Sequence, residues 1–289
     1  MLKIFVIILT YNSEKIIREL LDSLKPLKSA FSILVVDNKS KDKTVSIIKK
    51  NKFVKLIANK KNLGFGAGSN IGIKYALSKG ADVVFLLNPD TVLKSNFLEN
   101  FNASTVSLLK DENIGIIGAK IYDVNGKIWS VGGEIEKNRY SGHLIGYEKE
   151  DVGQYNNIKE IDYIPGTAMF VKKEVFEKVG FFKEDYFLYY EDVDFCLRIK
   201  KAGFELAIDS NIEVIHKASS SVGLNSKIMQ YYMARNHLIF VERFAPMRVK
   251  LREIVRLPKT LYEARDKESE LFGIRDYFLR RFFKNDNWR

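Results

Sequence analysis

The chain has one cysteine, three histidines and five prolines in 289 residues. A single thiol excludes an internal disulfide framework and agrees with a reducing compartment; Cys196 is expected to pack in a helix rather than react. Long apolar runs are absent too. No stretch approaches the roughly 18 to 20 residues that a membrane-spanning helix needs. Lys3 followed by Ile4 to Leu9 is too short for a secretory signal and reads as a first core strand, so the expected location is cytoplasmic. The common phosphate-binding signatures are also missing. No Gly-Lys-Ser/Thr loop occurs, and in Gly64-Phe65-Gly66-Ala67-Gly68-Ser69 a serine stands where the last glycine of the dinucleotide fingerprint belongs. ATP-hydrolysing and nicotinamide chemistry are therefore poorly supported.

What is present is an ordinary globular composition, 46% apolar and 29% charged, with length enough for one large domain or one plus an appendage. The net charge of +11 invites anionic partners: nucleotides, nucleic acid or a phospholipid surface. Most of the lysines and arginines are expected simply to solvate the surface.

Strand-length apolar runs alternate with helical patterns through the first half: Ile4 to Leu9, Ile33 to Val36, Val54 to Ala58, Val83 to Leu87 and Ile114 to Gly118. This predicts an α/β fold with a mainly parallel sheet flanked by helices. Ser13 is placed to cap a helix running to Leu24, and Ser40 or Asp42 the next one. From about Ile121 to Ile164 the pattern loosens into glycine- and tyrosine-rich sequence, read as a partly β insertion near the site mouth. Helical spacing resumes at Glu174 to Val179 and Asp192 to Ala202. Strands are expected at Phe204 to Ile208 and near Ile212 to Ile215, and a long helix from Ser226 to Phe244 that Pro246 ends.

Residues 1–245 read as the principal domain and 246–289 as a basic, amphipathic helical extension. Met247, Leu251, Ile254 and Val255 form one apolar stripe beside Arg248, Lys250, Arg252 and Arg256. Leu271, Ile274, Phe278 and Phe282 form another beside Arg275, Arg280, Arg281 and Lys284.

Chemistry-bearing residues follow the strands. In parallel α/β sheets ligands lie beyond the carboxyl ends of the strands, so Thr10, Asp37 and Asp90 are predicted to share one edge. Asp37 suits the imide N–H of a pyrimidine base, with Thr10 and Asn12 on the ribose or base edge; a plain turn at Asn38-Lys39-Ser40 is equally compatible. The turn from Asn62 through Gly64 to Asn70 opens a helix whose first N–H groups suit a phosphate. Asn88-Pro89-Asp90 ends the run Phe85-Leu86-Leu87, where Asp90 can hold a divalent cation against substrate phosphates, with His216 completing the set; an imidazole in that set favours Mn²⁺ over Mg²⁺. Glu191-Asp192 opens a helix after an aromatic run. Helix capping explains an acid there, and so does a general base whose pKa is lifted by aromatic shielding. Gly166, Thr167 and Ala168 form either a floor for a substrate or a tight bend.

Taken in order, Val6 to Asn12, Val35 to Ser40, Asn62 to Gly66, Leu87 to Asp90, Gly166 to Phe170 and Phe187 to Asp194 make the chain resemble the family 2 glycosyltransferases of GT-A fold, especially their rhamnosyltransferase-like branch. Tyr231-Tyr232 with Arg235-Asn236 is similar to that branch's late helix. The resemblance spans about Lys3 to Phe240.

It implies inverting transfer of a sugar, rhamnose or similar, from a nucleoside diphosphate (dTDP or UDP) to a hydroxyl of a glycan or lipid-linked acceptor, in cell-surface polysaccharide synthesis. Thr10, Asn12 and Asp37 would bind the nucleoside. Asp90 would bind Mn²⁺ or Mg²⁺ with His216 nearby, and Asn88 replaces the first acid of the family's D-x-D-like site. Asp192 would be the catalytic base, with Glu191 competing for the role. The extension matches nothing in the family and suits an anionic membrane surface, packing on the main domain, or contact with a second copy in a homo-oligomer.

Two other readings compete. A sugar-1-phosphate nucleotidyltransferase should carry a basic, glycine-rich loop after its first strand, and Thr10-Tyr11-Asn12-Ser13-Glu14 is not one. A nucleic-acid-binding protein should interleave arginines with stacking aromatics, whereas the aromatics here read mostly as core, so no nucleic-acid partner is expected.

Overall fold

The computed structural model describes residues 2–158, 160–217, 226–264 and 267–282. Lys284 of the second basic stripe lies outside them. The strands are β1 (Ile4–Thr10), β2 (Phe31–Asp37), β3 (Val54–Ala58), β4 (Val83–Leu87), β5 (Thr91–Leu93), β6 (Ile114–Tyr122), β7 (Ile128–Ser130), β8 (Gly133–Ile135), β9 (Gly142–Leu144), β10 (Ala168–Lys172) and β11 (Glu205–His216). The α-helices are α1 (Ile17–Leu24), α2 (Thr44–Lys49), α3 (Phe65–Ser78), α4 (Phe97–Asn100), α5 (Val106–Lys110), α6 (Lys173–Val179), α7 (Glu191–Lys201), α8 (Lys227–Phe244), α9 (Met247–Glu263) and α10 (Glu268–Phe278).

One mixed sheet runs β3-β2-β1-β4-β10-β6-β11-β5, with β7 paired to β6, and β8 and β9 form a separate ribbon. β3, β2, β1 and β4 are mutually parallel; β10 is antiparallel to both β4 and β6, and β11 returns parallel to β6. Both faces are covered, which is why the central strands read as unbroken apolar runs. Along β1, Ile4, Val6 and Ile8 enter a core with Ile17, Leu20 and Leu24 of α1. Phe5 and Ile7 enter the opposite core with Ile73 of α3 and Phe195 of α7. Phe85 and Phe170 stack at 4.0 Å across the β4–β10 pair.

Three local expectations are revised. The two strands expected between Phe204 and Ile215 are one strand, β11, with a register shift between Asp209 and Glu213 that lets it continue beside β6. Ser13 serves the start of α1 through its carbonyl, which accepts from Ile16 and Ile17, while its hydroxyl accepts from Tyr11. Asp42 does accept from the Thr44 N–H that opens α2, but Ser40 turns back toward Asp37 instead. Ser226 caps α8 by accepting from Met229, and α9 begins directly after Pro246.

The two basic stripes part company. α10 lies on α8: Gly273 abuts the Tyr231 carbonyl, and the Tyr231 hydroxyl donates to Asp276 at 2.7 Å. α9 instead leaves Met247, Leu251, Ile254, Val255 and Tyr262 exposed. Among the described residues no helix is long and apolar enough to cross a membrane.

Candidate active site

Strand register alone brings the predicted acids to one edge. Thr10 faces Asp37 in the β1–β2 pair, β4 ends level with Ile8, and His216 at the end of β11 faces Thr91. Thr10 is fully buried, and its hydroxyl donates to Asp37 Oδ1 at 2.9 Å. The same oxygen accepts from Ser40 Oγ at 2.5 Å, and Oδ2 accepts from Ser40 N at 2.8 Å. Three donors fix the carboxylate and leave an acceptor position on Oδ2. Asn12 is exposed with a left-handed backbone (φ 50°); its N–H donates to Ser40 Oγ, and its Oδ1 accepts from Lys41 N. The loop at 38–41 is thus a built turn that cradles Asp37, a role for Ser40 that sequence reasoning missed.

Asp90 and His216 form the second corner. His216 Nε2 lies 3.2 Å from Asp90 Oδ1, and both side chains are buried. The approach is not aligned as a hydrogen bond, so Asp90 Oδ1 and, across the ring, His216 Nδ1 have no hydrogen-bond partner. Buried polar atoms without partners are costly. Trp129 packs edge-on against the imidazole at 4.4 Å and fixes its plane, a neighbour that no spacing in the chain foretells. Among the described residues no three His, Cys, Asp or Glu side chains are grouped closely enough to hold a metal ion by themselves. The donor set, Asp90 Oδ1 beside His216 Nε2, fits a divalent cation whose remaining ligands are phosphate oxygens and water, and such a cation would satisfy the unpartnered Asp90 Oδ1. Asn88 is half-buried: its N–H donates to the Thr167 carbonyl, and its carbonyl accepts from Thr91.

Asp192 is the third corner. Its Oδ2 accepts from Gly166 N at 2.9 Å and its Oδ1 from Val193 N at 2.8 Å. Burial raises its pKa, and these two N–H groups pull the other way. Glu191 differs. It is buried, and its Oε2 has no partner. Burial first, then the charges of Asp192 and Asp194, push its pKa well up, which favours its neutral form. Asp192 is half-buried and hydrogen-bonded at both carboxylate oxygens, whereas Glu191 is buried with Oε2 unpartnered. Gly166 and Thr167 tie this corner to the last, because Gly166 holds Asp192 while Thr167 accepts from Asn88. Ala168 is buried in β10 opposite Leu87.

The glycine-rich turn is packed closely against the protein's own backbone. Asn62 Oδ1 accepts from Gly64 N, and the Gly64 carbonyl accepts from Asn38 Nδ2. A Cβ on Gly64 would lie 2.2 Å from the Phe187 carbonyl oxygen, and one on Gly68 would lie 2.5 Å from Leu9. Close packing against the nucleoside corner and the 186–190 turn requires these glycines. Cys196 is fully buried, and burial lifts its thiol to about 12, in line with an inert packing role.

The profile described as Glycosyl transferase family 2 matches residues 5–180. The dTDP-rhamnosyl transferase RfbF of Shigella flexneri is 30% identical over 266 residues, which cover 87% of this chain and 84% of that protein. The N-acetylglucosaminyl-diphospho-decaprenol L-rhamnosyltransferase of Mycobacterium tuberculosis is 25% identical, covering 75% of this chain and 77% of its own. Among solved structures, the mannosyltransferase PcManGT of Pyrobaculum calidifontis, in complex with GDP-Man and Mn²⁺, superposes with a TM-score of 0.59 at 17% identity. It covers 84% of this chain, which spans 65% of that structure's chain.

Proposed function

This chain belongs to the family 2 glycosyltransferases, on their rhamnosyltransferase-like side and with their GT-A fold, and from that we propose that it moves a deoxyhexose such as rhamnose from a dTDP- or UDP-sugar to a hydroxyl acceptor. The observation that carries the reading is the convergence of Asp37, the Asp90–His216 pair and Asp192 on one sheet edge, joined by the Asn88–Thr167 and Gly166–Asp192 hydrogen bonds. RfbF, named as a dTDP-rhamnosyl transferase, favours the thymidine donor.

In this reading Asp37 receives the imide N–H of the base on its remaining acceptor position, and Thr10 acts through Asp37 by fixing it. Asn12, Asn62, Gly64 and Asn88 border the nucleotide. Asp90 and His216 would hold Mn²⁺ or Mg²⁺, which when bound neutralises charge on a departing diphosphate. That PcManGT is described with Mn²⁺ supports the assignment. Asp192 takes the proton of the acceptor hydroxyl as its oxygen forms the new bond to the anomeric carbon. The bond from that carbon to the diphosphate breaks on the opposite face, which inverts the configuration. Gly166 N–H steadies the Asp192 carboxylate at the angle the transfer needs, and Thr167 floors the acceptor side, with Ala168 packed in the core beneath it.

The acceptor is a glycan or a lipid-linked sugar in cell-surface polysaccharide synthesis, as the decaprenol-linked substrate in the mycobacterial relative's name suggests. The exposed face of α9, with Arg248 and Arg252 flanking Leu251 and Ile254, would attach residues 246–289 to an anionic membrane from the cytoplasmic side. Replacing Asp192 by Asn tests the base. Transfer should fall by about 10² or more while nucleotide binding persists; turnover near the wild-type rate would remove Asp192 from the role.

A further inference from the structure

The turn before Asp192 carries an unusual backbone. Phe187, Tyr189 and Tyr190 all have φ between 63° and 73°, a left-handed conformation that bulky side chains rarely adopt. Tyr190 is also the residue from which α7 starts, so its backbone sets where Asp192, two positions on, points. Such a conformation persists only where its surroundings compel it.

One side chain supplies much of that compulsion. Asn236 of α8, fully buried, directs Nδ2 at three carbonyls of the turn: Tyr186 at 2.9 Å, Leu188 at 2.7 Å and Tyr189 at 2.9 Å. Its neighbour Arg235, also fully buried, donates to the carbonyls of Tyr186 at 2.6 Å and Asp185 at 3.1 Å, and its Nε orients the Asn236 amide through Oδ1 at 2.9 Å. α8 is braced from behind by α10 through Tyr231 and Asp276. On its other side the turn meets the nucleoside corner: the Phe187 carbonyl accepts from Phe65 N at 2.7 Å, next to Gly64, whose own carbonyl holds Asn38.

We propose that Asn236, oriented by Arg235, is a positioning residue for the transfer, forcing the 186–190 turn into the left-handed form that aims Asp192 at the acceptor. The proposal rests on Asp192 being the base. It gives α8, with α10 behind it, a part in catalysis through the turn.

Asn236→Leu keeps the size and removes the donors. The expected result is a fall in kcat of about tenfold or more, with the KM for donor and the affinity for UDP and dTDP within about twofold and thermal unfolding still cooperative. The decisive variant adds Tyr189→Gly, because glycine takes positive φ without being forced. If the clamp acts by compelling the turn, Asn236→Leu/Tyr189→Gly recovers a large part of the lost kcat. If Asn236 merely fills space, the second change removes a further, half-buried side chain and lowers activity further, which overturns the proposal. Full activity of Asn236→Leu beside an inactive Asp192→Asn also overturns it while leaving the functional reading intact. Activity unaltered in both single variants would defeat that reading, and the clamp with it. Should Asn236→Leu fail to fold, Arg235→Lys, which keeps the charge and loses the fork, takes its place with the same two readouts.

Discussion

Gly64→Ala combines two costs that the structure separates. At Gly64 the backbone lies at φ 85° and ψ 179°, a region open almost only to glycine; holding alanine there costs about 1–3 kcal/mol. The new methyl would also meet the Phe187 carbonyl oxygen at 2.2 Å and its ring at 2.7 Å, on a turn already tied to Phe65 N. Forcing that contact apart adds about 1–3 kcal/mol, for a total of about 2–6 kcal/mol. Gly180 is the matched control, with φ 79° and ψ −156° and nothing within 4 Å of the point where a methyl would stand. Gly180→Ala should therefore lose only the backbone share. With about 2–4 °C per kcal/mol for chains near this size, Tm should fall by roughly 4–24 °C for Gly64→Ala and by roughly half that for Gly180→Ala. Scanning calorimetry measures both. Transfer rates taken well below either transition should fall in Gly64→Ala alone, since only there does the turn that aims Asp192 move. Equal melting temperatures for the two variants, or full activity in Gly64→Ala, would refute the close approach of Gly64 to Phe187 as a determinant of the site.

The burial of Glu191 makes stability depend on pH with a definite sign. Its folded pKa is raised above the ordinary 4.5, so its contribution is intact below that value and is lost as pH rises through the folded pKa. Glu191→Gln should therefore melt higher than wild type at pH 7, the advantage vanishing near pH 4, and should retain transfer; a variant that melts lower at pH 7 would contradict the raised pKa. On α9, Ile254→Glu with Val255→Glu replaces two exposed apolar side chains and should weaken binding to anionic vesicles about tenfold or more without changing Tm, as followed by vesicle sedimentation. Undiminished sedimentation would dismiss α9 as the attachment surface.

Much of the site was legible because strand ends announce themselves. An apolar run closed by a polar residue places Thr10, Asp37 and Asp90 on one edge as soon as the sheet is parallel, and register then adds His216. Spacing could not show which atoms the acids commit to their own fold. Asp37 is held by Ser40, three residues away, and Asp192 by Gly166, 26 residues away, and neither bond leaves a periodic trace. Spacing also cannot distinguish Glu191 from Asp192, since adjacent acids at a helix start look alike until one is seen buried with an unpartnered oxygen. The glycines from Gly64 to Gly68 signal close approach in the sequence, but only the structure shows that the protein's own Phe187 and Leu9 lie against them. The extension was read as a pair of like helices, yet Gly273 lets α10 dock on Tyr231, while α9 keeps an apolar face open.

Isothermal calorimetry of UDP and dTDP, with and without Mn²⁺, against wild type, Asp37→Ala, Asp90→Ala and Asp192→Asn tests the shared cleft most directly. Binding should strengthen with Mn²⁺ in wild type and Asp192→Asn, weaken about tenfold or more in Asp37→Ala through loss of a charged hydrogen bond, and lose its Mn²⁺ dependence in Asp90→Ala. Affinities that are the same in all four proteins, whatever the metal, would contradict the assembly of these acids around one nucleotide.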